Sequence, residues 1–227
     1  MDQRMIAGHA PTAPTARMEN HGPSIARVVM RSGNDLFART GSMIGYEGFV
    51  QYEANPAALG RAVAGRLSGE NVPLMRCHGD GLLYLADYGA HVVCLELADD
   101  TLSVNSANVL AFDAHLEWGV QRVKGVAKFA GQGLFNIGIS GTGWVAVTSR
   151  GIPIVVDCAQ AGQTFVDPDA LVAWSTGLRV ESKRSFKASS LIGRGSGEAF
   201  QLGFSGQGFV VVQPSEDSAD RLAQPQN

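Results

Sequence analysis

Apolar residues in this chain fall in short runs broken by Gly, Ser, Asn and Asp. Ile25–Met30, His91–Leu97 and Ile152–Asp157 are β-branched runs closed by turn residues, and each reads as a strand. A turn at Ser32–Asp35 follows the first. Behind each run lies a copy of one pattern. Leu102–Trp118 falls without a gap on Thr164–Val180 at an offset of 62, and on Leu36–Tyr52 at an offset of 66. These offsets match Val104 with Val166, Ala111 with Ala173, Phe112 with Trp174, and Leu116 with Leu178. In the first copy Gly45 stands for Ala111 and Tyr46 for Phe112. Self-similarity at a fixed period is the signature of a repeat architecture.

A second pattern alternates with the first. Phe135–Val145 matches Phe200–Val210 at an offset of 65. The glycines of Ser140-Gly141-Thr142-Gly143 and Ser205-Gly206-Gln207-Gly208 predict tight β-hairpins. Gly79–Leu95 is a weaker copy, with its turn expected near Asp87–Ala90. The chain therefore divides into three units, about 25–90, 91–151 and 152–213, within one β domain spanning 24–213. Residues 1–23, with Pro11, Pro14 and Pro23, are expected to form a loose tail, and 214–227 a polar one. After Glu53 the first unit inserts Pro56 and Ala57–Leu67, the one predicted short helix. The other linkers, Gly119–Ala130 and Glu181–Arg194, are shorter.

The strands Val109–Phe112 and Leu171–Trp174 are apolar at every position, so both their faces need cover. Strict alternation puts Val109 and Ala111 on one side, Leu110 and Phe112 on the other. The outer faces then pack against another subunit or against a sister unit of the same chain. Gly45, Ala111 and Ala173 are the small residues that would permit close approach there. Many short strands with Gly-rich turns predict an all-β sandwich or barrel.

Composition narrows the classes. With 17% charged residues, 45% hydrophobic residues and a net charge of −3, the chain reads as globular and not as a bulk-charge nucleic-acid binder. Three cysteines without CxxC spacing, Cys77, Cys94 and Cys158, read as small buried apolar residues in a reducing compartment. No apolar run approaches the roughly 20 residues of a membrane helix. The first residues lack a secretory core, so a cytoplasmic protein is expected.

Ala38-Arg39-Thr40-Gly41-Ser42-Met43, Ser68-Gly69-Glu70 and Phe204–Val210 add a resemblance. In this order and spacing, over Ile25–Gln213, the chain resembles the family named for a yeast altered-inheritance-of-mitochondria protein, which has many bacterial members. Gly41-Ser42-Met43 departs from the family's usual Gly-Ala-Met. The resemblance implies a triplicated, pseudo-symmetric β-sandwich, or short double-stranded β-helix, like the tryptophan RNA-binding attenuator protein. It implies homotrimers that form rings, and no established enzymatic activity. The yeast member is tied to mitochondrial inner-membrane organisation, but this N-terminus does not look like a transit peptide.

Candidate chemistry is sparse. No His-x-His occurs, Cys77 and His78 point to opposite strand faces, and His91 and Cys94 diverge, so neither a metal nor another cofactor is expected. Asp113 and His115 share a face and form the one acid–base pair on offer, with no nucleophile beside them. Gly195–Phe200 starts like a dinucleotide loop but leads into a strand, without the helix that such a loop needs. Arg179, Lys183, Arg184, Lys187 and Arg194, with Arg122, Lys124 and Lys128 on the equivalent linker, would gather on one rim. Such a rim suits an anionic partner such as RNA, a phospholipid headgroup or polyphosphate. The sequence thus predicts a self-associating, non-enzymatic scaffold or binding module. Its alternatives are an anion binder through residues 179–194, and a small-molecule binder or enzyme using the inter-sheet cavity.

Overall fold

The computed structural model describes residues 12–54, 73–122, 135–184 and 200–215, with the backbone alone at Arg122, Phe135, Arg184 and Phe200. Among these residues the fold is almost entirely antiparallel β. The first part holds β1 (Met18–Asn20), β2 (Ala26–Met30), β3 (Leu36–Arg39), β4 (Met43–Ala54) and β5 (Leu74–Leu85). The middle holds β6 (His91–Val104), β7 (Val109–Asp113), β8 (Glu117–Arg122) and β9 (Phe135–Ser149). The last holds β10 (Ile154–Asp157), β11 (Thr164–Val166), β12 (Leu171–Ser175), β13 (Arg179–Arg184), β14 (Phe200–Ser205) and β15 (Phe209–Val212). One sheet runs β1-β2-β5-β3-β7-β9-β6-β12-β15-β10, with β4 beside β5 and β8 beside β9; a smaller one runs β11-β14-β13.

The expected hairpins at Ser-Gly-x-Gly are not there. β9 runs unbroken through Gly141 and Gly143 and pairs with β6 on both sides of them. The glycines coil one long strand and do not reverse it. Gly79-Asp80-Gly81 is the corresponding element within β5, so the weaker copy matches there and not at the 87–90 turn. At Gly81, φ is +150° and a Cβ would lie 1.9 Å from the Glu47 carbonyl oxygen. Only glycine fits so close a crossing. β6 bends at the same level, where its ladder with β9 slips between Leu97 and Asp100. In the last part the motif separates β14 from β15, and the two join different sheets.

Strict alternation is broken by a bulge at the same place in each copy. The ladders slip between Met43 and Gly45, between Val109 and Ala111, and between Leu171 and Ala173. A bulge sets two residues against one and turns side chains to a new face. Val109 therefore joins Phe112 in one core cluster, and Leu110 joins Ala111 in another. Likewise Leu171 lies with Trp174, and Val172 with Ala173. All five residues of β7 and all five of β12 are buried within the chain. The two-faced cover predicted for these strands comes from sister segments of the same molecule.

The N-terminal tail is also shorter than expected. β1 pairs with β2, and Met18 is fully buried. Glu19 binds the guanidinium of Arg27, itself only 3% exposed. The Asn20 amide donates to the Val92 carbonyl and accepts from the Cys94 N–H. These bonds tie residues 17–20 across β2 and β6. The helix predicted at Ala57–Leu67 lies outside the described residues. The α-helix among the described residues is α1 (Cys158–Ala161), capped by the Asp157 carboxylate, which accepts from the Ala159 N–H at 2.9 Å.

Candidate functional site

The sequence-predicted chemistry does not converge. Asp113 is 1% exposed and has both oxygens engaged. One takes the Arg17 Nε at 2.7 Å, the other the Trp144 N–H at 2.9 Å. The His115 ring nitrogen bonds the Thr142 carbonyl at 2.9 Å. Both side chains face the α-carbon of Gly143, so they share a face, but each is held by its own partner. Arg17 completes its fork on the carbonyls of Val29 and Asn34. The groove lined by Pro14, Arg17, Val29, Arg31 and Asn34 therefore has the Arg17 cation already committed on its wall. Among the described residues no group of three His, Cys, Asp or Glu is placed to hold a metal.

The basic rim is only partly described. Lys124, Lys128, Lys187 and Arg194 lie outside the described residues, and Arg122 and Arg184 end β8 and β13. Arg179 pairs with Glu181 at 2.8 Å, both exposed. Lys183 Nζ stands 4.1 Å from the centre of the Phe165 ring, a cation–π contact. Of the small residues, Ala111 and Ala173 are fully buried within the chain, where segments of the same molecule cover them. Gly45 alone lies on an open edge.

That edge is one of a matched set. β7 joins β3 with Ala38 opposite Ala111, Phe37 opposite Phe112, and Leu36 opposite Asp113. β12 joins β6 with Val104 opposite Ala173, Ser103 opposite Trp174, and Leu102 opposite Ser175. Offsets of 66 and 62 carry one register onto the other without a slip. The lead-in to each strand is also the same. Asn108, Ser42 and Ala170 each donate an N–H three residues back, to Asn105, Arg39 and Asp167. At the first junction the guanidinium of Arg39 donates to the Val109 carbonyl. At the second the Asn105 amide reaches the matching Leu171 carbonyl. Burial of Arg39 draws its pKa below the usual value.

The remaining edges of this kind have no mate within the described chain. The start of β4, Met43–Glu47, pairs only with β5, and β11 only with β14. At the start of β4 large side chains are exposed where their counterparts are buried. Ile44 is 56% exposed; its counterparts Leu110 and Val172 are fully buried. Tyr46 is 47% exposed; its counterparts Phe112 and Trp174 are buried. Phe165 on β11 is 38% exposed, and Tyr52 farther along β4 is 49% exposed. Ile44, Tyr52 and Phe165 were not singled out from sequence, although the offsets already aligned them with core positions. Large apolar side chains on an unpaired edge mark a contact surface.

Burial pushes Cys77 up to about 11 and Cys94 up to about 12, and all three cysteines are free. Neither Cys77 nor Cys94 has the lowered pKa of a nucleophile.

The comparisons with known proteins agree with this architecture. No curated protein matches the chain in sequence. A Streptococcus pyogenes protein solved by X-ray crystallography as a structural-genomics target is similar in fold. It has a TM-score of 0.67 and 23% identity, over 91% of this chain and 94% of that one. The model of one family, described as mitochondrial biogenesis AIM24, matches residues 16–215. With that span, from the β1 strap to the end of the last sheet, the chain belongs to the AIM24 family.

Proposed function

We propose that this protein is a non-enzymatic scaffold that assembles with copies of itself, edge to edge, through the start of β4 and through β11. One observation carries the reading. Two strand junctions of identical register are made within the chain, and the two edges needed for a third stand open and apolar. In this reading three units, about 25–90, 91–151 and 152–213, are related by pseudo-symmetry within one domain. The head-to-tail contact between copies continues the same relation. A head-to-tail contact closes into a ring or grows into a filament. The resemblance to a ring-forming family sets the expected number of copies at three.

A reducing, cytoplasmic setting fits the three free thiols. No helix among the described residues is long and apolar enough to cross a membrane. An anionic ligand on the basic linker has less support, because Arg179 and Lys183 already have partners. Sedimentation velocity of the full chain at micromolar concentration is the test. The expected result is one species of three copies, and a monomer throughout the range contradicts the reading.

A further inference from the structure

At the first in-chain junction three aromatic rings meet. Phe37 comes from β3, Phe112 from β7 and Trp118 from β8. Their centroids lie 5.6 Å (Phe37–Phe112), 6.1 Å (Phe37–Trp118) and 5.6 Å (Phe112–Trp118) apart, each pair edge to face. Such pairs contribute beyond the apolar area they bury. The offset of 66 places Tyr46 where Phe112 stands and Tyr52 where Trp118 stands, while 62 and 66 together place Phe165 where Phe37 stands. The open edges thus carry the same triad in two pieces. Tyr46 and Tyr52 lie on β4, and Phe165 lies on β11.

The geometry points to a second copy of this chain as the occupant, with Phe165 of one copy packed between Tyr46 and Tyr52 of the next. This rests on the self-assembly reading above and adds its register. Carrying the two observed registers forward sets Val166 opposite Gly45, Phe165 opposite Tyr46, and Thr164 opposite Glu47. Directly opposed residues of an antiparallel pair share a face, so the two rings meet. The small residue recurs at the right point: Gly45 faces Val166 as Ala173 faces Val104. In the single chain the Phe165 ring lies over Gly203 of β14, with Lys183 Nζ 4.1 Å from its centre.

Two capped variants test the pairing. One carries Tyr46→Glu with Tyr52→Glu, which blocks the β4 edge and leaves Phe165 intact. The other carries Phe165→Glu, which blocks β11 and leaves both tyrosines intact. The affected side chains are exposed in the single chain, so circular dichroism should match the unaltered protein, while melting should fall only by the stabilisation that assembly gives. Each variant alone should sediment as a monomer. An equal mixture should give a one-to-one heterodimer and nothing larger, because only one intact junction exists between the two. The milder Phe165→Ala should weaken assembly about tenfold. If the unaltered protein is itself a monomer, the self-assembly reading falls. If it assembles but the capped variants assemble equally well, copies join elsewhere and this inference alone is overturned. Capped variants that stay monomeric when mixed also overturn it.

Discussion

Arg17 and Asp113 show how a pair of side chains can be structural where sequence suggests chemistry. Asp113 is nearly sealed from solvent, with an oxygen on the Arg17 Nε. Removing one partner of such a pair leaves a buried charge alone. Arg17→Ala should therefore destabilise the fold by about 3 kcal/mol in chemical denaturation, and Arg17→Lys should recover part of it, since lysine cannot reproduce the three-way fork. The Asp113–His115 spacing was readable in the sequence. Arg17, 96 residues away from Asp113, was not, because no local pattern announces a contact of that range. Glycines give a sharper contrast. Gly81→Ala forces a Cβ into the Glu47 carbonyl at a positive φ and should cost about 3 kcal/mol or more. Gly45→Ala meets no atom within 4 Å and should shift stability by less than about 0.5 kcal/mol. Alanine already stands at the matching positions 111 and 173.

Among elements, β1 answers most directly to solution conditions. A hydrogen bond from the Thr15 side chain, then one from Arg27, holds the Glu19 carboxyl down to about 2, against 4.5 for the free group. A lowered folded-state pKa contributes stability in full above the unfolded value and loses it as pH falls. The β1 contribution should thus be intact above pH 4.5 and fade between pH 4.5 and 2. Melting temperature followed across that window should fall in the unaltered protein and fall less in Glu19→Gln. The strand runs were legible because β-branched residues mark strands, and the offsets of 66 and 62 carry the β3–β7 register onto β6–β12. The coil at Gly-x-Gly was misread because positive φ serves a bend within a strand as readily as a reversal between strands. The bulges at Ile44, Leu110 and Val172 left no composition signal, since every position of β7 and β12 is apolar or buried. For α1, Asp157 as cap and Gly162 behind it were signals available in the sequence, overshadowed by the strand before them.

At the scale of the whole molecule, two strand junctions of matching register, β3–β7 and β6–β12, are made within the chain. The start of β4 and β11 have no such mate among the described residues. Only the burial pattern distinguishes these edges from the inner ones, which is why sequence alone could not decide between subunit and sister-unit cover for the apolar faces. Hydrogen exchange read by mass spectrometry on the unaltered full chain tests this account most directly. The amides of Met43–Glu47 and Thr164–Val166 should be protected to the level of Val109–Asp113 and Leu171–Ser175. The exposed turn at Tyr88 and Gly89 serves as the open reference. Protection at both edges is the predicted result. Exchange at both edges as fast as at that turn, in protein at micromolar concentration, would contradict assembly through these strands.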